Sequence, residues 1–302
     1  MGKIALPRLG AVATARASGT CGELLQGVLD GCDFLITAPI DRFSTAKVNL
    51  TTQPGIITSN RRPIWKAASA LRKTLEFFHV TGLGAQLELE SELPLGKGCA
   101  SSTADIAATV RAGASALGYE IRPDEIAKIA LSVEPSDGIF WSGIVLFDHV
   151  HGNLFEFLGE PPPLNILIVD PGGAIDTVHE FDREKSRAVA RANEIQIKRA
   201  VELVKEGIRR QDAWLIGLGA SISARCNQLV LHKPELEILI KLALNMNAVG
   251  VNVAHSGTIM GILFEPHHVN VERLKQNVFD ILSASVKLDC TSLISGGTKI
   301  VD

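Results

Sequence analysis

The spacing of hydrophobic residues divides the first half of the chain into alternating strands and helices. Apolar and polar side chains alternate over residues 85–90, which predicts a half-buried strand. Apolar side chains with helical spacing predict helices at residues 65–78, 101–117 and 123–133. Short apolar runs predict further strands at residues 143–147 and 154–158. The strand at 85–90 therefore leads through a short loop into a long helix.

The second half begins after three consecutive prolines, residues 161–163, which are the most linker-like element of the sequence. Strands are predicted at residues 164–169, 249–254, 258–264 and 286–288, and helices at 183–209, 213–225, 235–245 and 271–282. This order corresponds to the split βαβ arrangement of a ferredoxin-like domain with extra helices inserted. We therefore predict an α/β (α+β) fold of two domains, residues 1–160 and 161–302.

The composition argues against several classes of protein. Of the 302 residues 46% are hydrophobic, enough for substantial cores, and the net charge of −3 provides no basic surface for nucleic acid. No apolar run approaches the roughly 20 residues that span a bilayer, and Pro7 and Arg8 interrupt the apolar start, so we expect neither a membrane helix nor a signal peptide. Five scattered cysteines without a C-x-x-C pair favour the cytoplasm, and the histidines lack the spacing of metal ligands.

A glycine-rich loop, LPLGKGCASSTAD at residues 93–105, joins the strand to the long helix. Glycines let backbone N–H groups converge on an anion, and the N-terminus of the helix adds unpaired donors and a positive dipole end. The three hydroxyls at residues 101–103 stand where N-cap and first-turn hydroxyls belong. We predict that the phosphates of a nucleotide bind to Pro94, Leu95, Gly96, Lys97, Gly98, Cys99, Ala100, Ser101, Ser102 and Thr103.

Other interpretations of this loop fit less well. A Walker loop requires Gly-Lys followed by Ser or Thr, whereas Lys97 is followed by Gly98. The dinucleotide fingerprint G-x-G-x-x-G is met by Gly96 and Gly98, but Ser101 stands in place of the third glycine. An ordinary strand-to-helix loop of small residues stays open as an alternative.

Three segments resemble the galactokinase, homoserine kinase, mevalonate kinase and phosphomevalonate kinase (GHMP kinase) superfamily, and the similarity spans nearly the whole chain. The family's central motif, P-x-x-x-G-L-x-S-S-A-A, is matched by Pro94, Gly98, Ser101, Ser102 and Ala104. Cys99 replaces the usual leucine. The N-terminal string GTCGELLQG, residues 19–27, is similar to that of the bacterial L-threonine kinases of the superfamily. A hairpin at residues 254–261 matches the third family motif loosely, because it holds only two glycines.

The resemblance implies a fold and an activity. The N-terminal domain would be ribosomal-protein-S5-domain-2-like and bind ATP, and the C-terminal domain would be ferredoxin-like. With ATP and Mg²⁺ as cofactors, the enzyme would convert L-threonine to O-phospho-L-threonine for the aminopropanol side chain of cobalamin. Two alternatives stay open: another GHMP kinase of the homoserine or mevalonate type, or a non-catalytic ligand sensor on the same scaffold.

Acidic residues supply the remaining chemistry that the resemblance implies. A kinase of this type uses Mg²⁺ on the phosphates and a carboxylate near the acceptor hydroxyl. In the segment EPSDG, Asp137 is the candidate catalytic base or orienting group, and Glu134 with Ser102 are candidate Mg²⁺ ligands. The alternatives are an Asx turn before Gly138 for Asp137 and a solvated helix-end carboxylate for Glu134.

Candidate substrate-binding residues lie in the first and third motifs. They are Thr20, Glu23, Gln26, Ser256 and Gly257. The carboxylate of Glu23 could meet the ammonium group of an amino acid, or it could be an acid at the start of a helix. Lys97 is a candidate point charge for ATP. His255 is interpreted as a buried histidine at a strand end rather than as a ligand contact.

Overall fold

The computed structural model describes residues 10–58, 64–173, 183–282 and 285–301, which form a mixed α/β structure. The strands are β1 (Val12–Leu29), β2 (Cys32–Thr51), β3 (Gly55–Thr58), β4 (Gly84–Ser91), β5 (Ile144–Phe147), β6 (Phe155–Gly159), β7 (Asn165–Asp170), β8 (Gly250–Val253), β9 (Met260–Phe264), β10 (Lys287–Ser292) and β11 (Thr298–Val301). The helices are α1 (Trp65–Phe77), α2 (Ser101–Ala116), α3 (Pro123–Leu131), α4 (Arg183–Ala192), α5 (Glu194–Arg210), α6 (Ala213–Asn227), α7 (Leu236–Asn245) and α8 (Val271–Leu282). In these four ranges no helix is long and apolar enough to cross a membrane. The expectation for Pro7 and Arg8 lies outside the described residues.

One sheet connects both halves of the molecule. Its strand order is β10-β7-β9-β8-β1-β2-β4-β3, with β11 paired to β1 and β5 paired to β2 and β6. The long hairpin of β1 and β2 turns at Asp30 and Gly31, whose φ angles of 48° and 84° suit the tight turns that follow the twist of a hairpin. The Asp-Gly pair is a strong hairpin signal in the sequence, and it was available to predict this turn.

Several predicted elements are confirmed, and one prediction is wrong. The chain forms a helix at each predicted position around the glycine-rich loop, and strand β4 delivers the chain to that loop. The single helix predicted at residues 183–209 is instead two helices, α4 and α5, separated at Asn193. The Asn193 side chain donates a hydrogen bond to the Val189 carbonyl at 2.9 Å, an example of how asparagine competes with regular helix formation. The strand predicted near residue 287 is β10, but β11 follows it and returns to β1.

The hydrophobic core explains why the two halves are joined. A large core cluster includes β1, β2 and α2 of the first half together with Ile197, Val204 and Ile216 of the second half. A smaller cluster lies wholly in the second half, among β7, β8, β9, α7 and α8. The division into residues 1–160 and 161–302 stays a prediction, since the sheet and the larger core both cross it.

Helix α2 lies at the centre of the larger core. Alanines supply much of its surface, and five of them are fully buried: Ala104, Ala107, Ala108, Ala112 and Ala114. Small side chains let the helix approach β1, β2 and α1 closely. The N-terminus of α2 is thereby fixed beside the strands that carry the other two motifs.

Candidate functional site

The first turn of α2 is built without a side-chain cap. Its N-cap is Ala100, which has a left-handed φ of 52° and no side-chain hydrogen bond to the helix. Ser101, Ser102 and Thr103 form the first turn as expected, but the expectation that one of them is the N-cap is wrong, and the Ser102 and Thr103 hydroxyls bond to carboxylates instead. Uncapped N–H groups and the positive end of the helix dipole are features that bind anions in proteins.

Ser102 and Glu134, the two candidate Mg²⁺ ligands, are in direct contact. The Ser102 hydroxyl donates a hydrogen bond to Oε1 of Glu134. Oε2 of the same carboxylate accepts a hydrogen bond and ion pair from Nζ of Lys66, at the start of α1. The structure therefore brings an oxygen pair of the kind that hard cations prefer to the first turn of α2, beside a positive charge.

Asp137 is hydrogen-bonded to Thr103, the residue after Ser102 in the first turn of α2. The Thr103 hydroxyl donates to Oδ2 of Asp137 at 3.0 Å, and the backbone N–H of Asp137 donates to that hydroxyl oxygen at 3.3 Å. Burial, together with the negative charge of Glu134, raises the pKa of Asp137 to about 6, although the Thr103 hydrogen bond acts in the opposite direction. The aspartate is thus mostly ionised at neutral pH and close to the range in which a carboxylate accepts protons readily.

Glu23 is the buried neighbour of Asp137. It lies on β1 where the strand meets β8, opposite Val253, and its side chain is 4% exposed. Burial raises the pKa of Glu23 well above the ordinary value, and the charge of Asp137 and a hydrogen bond to that residue raise it further. Ionisation of both carboxyl groups together is therefore unfavourable, and burial favours the protonated form of Glu23. The Oε2 atom of Glu23 has no hydrogen-bond partner within the described ranges.

Backbones of the three motif loops are in contact. The N–H groups of Thr20, Gly22 and Ile259 donate to the carbonyls of Cys99, Gly98 and Lys97, at 3.1, 3.2 and 3.2 Å. At Gly98, whose φ is 88°, a Cβ would lie 2.2 Å from the Cβ of Ala254. At Gly257 a Cβ would lie 2.2 Å from the Lys97 carbonyl. These glycines are required by the contact between loops, which is a different role for Gly98 from leaving room for a phosphate.

The side chains of Lys97 and Cys99 do not extend freely from the loop, because Lys97 is paired and Cys99 is buried. Nζ of Lys97 lies 2.8 Å from Oδ1 of Asp170 at the end of β7 and also bonds to the Gly173 carbonyl. A contact between Lys97 and phosphate stays a prediction, since its ammonium is already paired. Burial and the charge of Asp170 raise the pKa of Cys99 to about 12, so the thiol stays neutral. It therefore adds no negative charge to the loop.

The remaining substrate candidates have different surroundings. The Thr20 hydroxyl is buried and directed at the Gly98 carbonyl, 3.5 Å away. Oε1 of Gln26 lies 2.7 Å from Nδ1 of His255, which is half-buried rather than buried as expected at that strand end. Ser256 is half-buried in the hairpin, and the Gly257 carbonyl accepts a hydrogen bond from a lysine. The substrate roles of Thr20, Glu23, Gln26, Ser256 and Gly257 stay predictions.

Two lysines of the site were not found from the sequence. Lys233 is 5% exposed, and its Nζ donates to the Gly257 carbonyl at 2.6 Å. Burial lowers the pKa of Lys233 to about 8. Lys66, at the start of α1, is the partner of Glu134. No motif marks either residue, and in both cases the partner lies more than twenty positions away in sequence.

All five cysteines are free, as their spacing indicates. Among the described residues, no group of three or more His, Cys, Asp or Glu side chains has the arrangement of a metal site.

Comparisons with known proteins point to one family. A model of the GHMP kinases N terminal domain matches residues 62–141. The L-threonine kinase of Salmonella typhimurium is 30% identical over 296 residues, which are 96% of each chain. The L-threonine kinase of Citrobacter freundii is 30% identical over 265 residues, or 87% of this chain and 90% of that one. A solved homoserine kinase from Cytophaga hutchinsonii has the same fold, with a TM-score of 0.74 and 17% identity over 99% of this chain and 100% of that chain.

The region matched by the family model includes the glycine-rich loop, α2 and the segment that carries Glu134 and Asp137. The similarity to the two L-threonine kinases extends beyond that region to most of the chain. The resemblance inferred from the three motifs is thereby confirmed: this chain belongs to the GHMP kinase family.

Proposed function

We propose that this GHMP kinase transfers the γ-phosphate of ATP to the hydroxyl of L-threonine and produces O-phospho-L-threonine. Two relatives that match most of the chain are L-threonine kinases. The observation that carries the proposal is a pair of hydrogen bonds at the first turn of α2. Ser102 bonds to Glu134, and the adjacent Thr103 bonds to Asp137. This turn offers donors for a phosphate and a carboxylate for an acceptor hydroxyl side by side.

ATP would place its phosphates on the loop of residues 94–103 and the uncapped first turn of α2. Ser101, Ser102 and Thr103 present backbone N–H groups there, at the positive end of the helix dipole. The hydrogen bonds to the other two motif loops hold this loop in place before a nucleotide arrives. Such preorganisation lowers the entropic cost of orienting the γ-phosphate.

Ser102 and Glu134 would hold Mg²⁺. Their oxygens already lie in contact and match the hard donors that Mg²⁺ prefers, so the residues fit this ion. When bound, Mg²⁺ offsets negative charge on the phosphates. Lys66 donates to the second oxygen of Glu134, so it orients that carboxylate and adds positive charge to the same turn.

Asp137 would orient the acceptor hydroxyl and accept its proton. The pKa of about 6 leaves this carboxylate ionised at neutral pH, and the Thr103 hydroxyl fixes its position. Glu23, whose burial favours the protonated form in the free protein, would bind the ammonium group of the amino acid. The arriving positive charge favours the ionised carboxylate, so Glu23 would lose its proton as the substrate binds.

We also propose a role for each of the two domains and a use for the product in the cell. Residues 1–160 would bind ATP, residues 161–302 would complete the acceptor site as a ferredoxin-like domain, and the cleft between them would hold both substrates. O-phospho-L-threonine would supply the aminopropanol side chain of cobalamin, in the cytoplasm. The names of the relatives support the reaction and not this context.

An acceptor series tests the proposal. We expect phosphate transfer from ATP in the presence of Mg²⁺, with kcat/KM highest for L-threonine. L-Serine should be about 10- to 100-fold poorer, since one methyl in an apolar pocket contributes about 1–3 kcal/mol. A higher kcat/KM for L-homoserine or mevalonate would overturn the assignment of the acceptor. Absence of phosphate transfer to every hydroxy acid tested would instead favour a ligand sensor.

A further inference from the structure

A cluster of polar side chains lies beside Asp137 and is not used in the mechanism above. Nδ1 of His255 lies 2.7 Å from Oε1 of Gln26. The ring of His149 packs edge-on against that of His255, with 5.2 Å between centroids and 71° between planes. These three side chains come from β1, the turn after β5 and the hairpin after β8.

The amide of Gln26 has a donor that the fold does not use. Gln26 is 5% exposed, and its Nε2 atom has no hydrogen-bond partner among the described residues. Oε1 accepts from His255, so both N–H groups of the amide are left over. Unpaired buried donors destabilise a fold, and one that persists indicates an acceptor supplied from outside the chain.

A β-bulge directs this donor toward the substrate residues. In the pairing of β1 with β2, Glu23 faces Thr37 and Leu25 faces Ile36, so Leu24 is an extra residue. Alternate residues of a regular strand share a face, and one extra residue brings positions three apart to the same face. The bulge at Leu24 therefore places Gln26 on the same face of β1 as Glu23.

The other two members of the cluster are tied to the same place. The N–H of Ser136, the residue before Asp137, donates to the His149 carbonyl at 2.9 Å. Asp148 accepts hydrogen bonds from the N–H groups of residues 150, 151 and 153, which fixes the turn that carries His149. His255 follows Ala254, and the backbone of Ala254 packs against Gly22. A Cβ on Gly22 would lie only 2.5 Å from the N atom of Ala254. The segments that carry His149 and His255 are thus in contact with the segments that carry Asp137 and Glu23.

We propose that the amide of Gln26 binds the carboxylate of the amino-acid acceptor, and that His255, with His149 packed against it, is a positioning residue that orients this amide. This inference rests on the proposed function, in which Glu23 binds the ammonium group. A carboxylate accepts hydrogen bonds only, and the two N–H groups of the Gln26 amide are the donors available to it, because the hydrogen bond from His255 to Oε1 fixes the orientation of that amide.

Two acceptors that differ only in the carboxylate test the subsite. L-Threoninamide keeps the ammonium and the hydroxyl of L-threonine but replaces the carboxylate with a neutral amide. Gln26→Glu puts a like charge against the carboxylate, and His255→Phe keeps a ring but removes both nitrogens. We expect each variant to lower kcat/KM for L-threonine by about 10- to 100-fold, the range for hydrogen bonds to a charged group. For L-threoninamide we expect less than about a threefold change.

Control measurements distinguish a failure of the carboxylate subsite from a failure of the proposed function. His151→Phe changes an exposed histidine of the same turn and should leave both acceptors unaffected. Thermal melting and ATP binding show whether each variant is folded. If Gln26→Glu is not folded, His255→Phe alone tests the subsite. Equal losses with both acceptors in a folded variant, while the unmodified enzyme phosphorylates L-threonine, overturn the subsite alone. No transfer to L-threonine by the unmodified enzyme overturns the proposed function as well.

Discussion

At the scale of single residues, the site depends on a pair of carboxyl groups held out of water. Glu23 and Asp137 come from distant segments of the chain and share a hydrogen bond. Burial raises the pKa of both groups. Like charges at short range cannot both ionise easily, so the pair titrates as a unit and its two members take different roles.

Replacing Asp137 with asparagine removes the proton acceptor and keeps the shape. We expect Asp137→Asn to lower kcat by about 10²-fold or more, the usual contribution of a general base, with little change in ATP affinity. Asp124→Asn, at an exposed site on α3, is the matched control. Steady-state kinetics and calorimetric ATP titration measure the two quantities. An unchanged kcat would exclude Asp137 from the proton transfer.

The same substitution should stabilise the protein at neutral pH. The pKa of Asp137 rises from 3.8 to about 6 on folding, so between these values the folded state binds more protons than the unfolded state. Stability therefore falls as pH rises from about 4 to about 6 and stays lower above that range. A neutral asparagine side chain at this position would carry no such penalty, which is at most about 3 kcal/mol.

Urea unfolding of Asp137→Asn and the unmodified protein at pH 4 and pH 7.5 measures this difference. We expect the variant to gain stability relative to the parent between the two pH values. A constant difference would mean that the carboxylate is not penalised by burial.

The residue-scale predictions of function depend on motifs, and the roles that they assign stay predictions. Ser102, Glu134 and Asp137 were identified from the family pattern, and the structure brings all three to one helical turn. The partners Lys66, Lys233 and His149 lie in segments whose local sequence is ordinary. Only the folded chain places them, because each contact joins residues that are distant in sequence.

At the scale of elements, the three motif loops act as one unit because glycines let their backbones touch. Gly98 and Gly118 both have left-handed φ angles, 88° and 81°. A Cβ at Gly98 meets Ala254, whereas a Cβ at Gly118 has nothing within 4 Å. Substitutions at the two glycines therefore distinguish the effect of backbone strain from the effect of packing between the loops.

We expect Gly118→Ala to cost only the strain of its φ angle, about 1 kcal/mol. Gly98→Ala adds the collision with the hairpin, so it should destabilise the protein further and weaken ATP binding. Urea unfolding and ATP titration of both variants provide the comparison. Equal effects on stability and no effect on ATP affinity would show that the contact between loops is not needed for the nucleotide site.

Element prediction worked best where the hydrophobic period was regular. α2, α3 and β4 follow clear patterns, and their positions are confirmed. The break at Asn193 was missed because amphipathic spacing continues across it. The full length of β1 and β2 was missed because three register shifts between residues 18 and 25 make their pairing irregular, and because residues 17–26 are buried throughout rather than alternately buried and exposed.

At the scale of the whole molecule, the two predicted domains are joined by β1. This strand pairs with β2 of the first half and with β8 and β11 of the second half. The larger core includes α5 and α6, which pack on β1. Sequence order suggested a boundary at the prolines, but neither a return of the last strand to the first nor a shared core can be read from local composition.

We expect the full chain to unfold in one cooperative transition, because the shared core couples the halves. A fragment of residues 1–160 would expose the face of β1 that packs on α5 and α6, and it should show no cooperative transition of its own. Urea unfolding followed by circular dichroism compares the two. Two separate transitions in the full chain, one reproduced by the fragment, would show that the halves fold independently.

The central claim is that this fold phosphorylates the hydroxyl of L-threonine with Asp137 as the proton acceptor. Phosphorus NMR of ATP, Mg²⁺ and L-threonine with the unmodified enzyme, beside the Asp137→Asn variant, tests it most directly. We expect O-phospho-L-threonine in equal amount to ADP, formed about 10²-fold more slowly by the variant. ADP release without a phosphothreonine signal, or equal rates from both proteins, would contradict it.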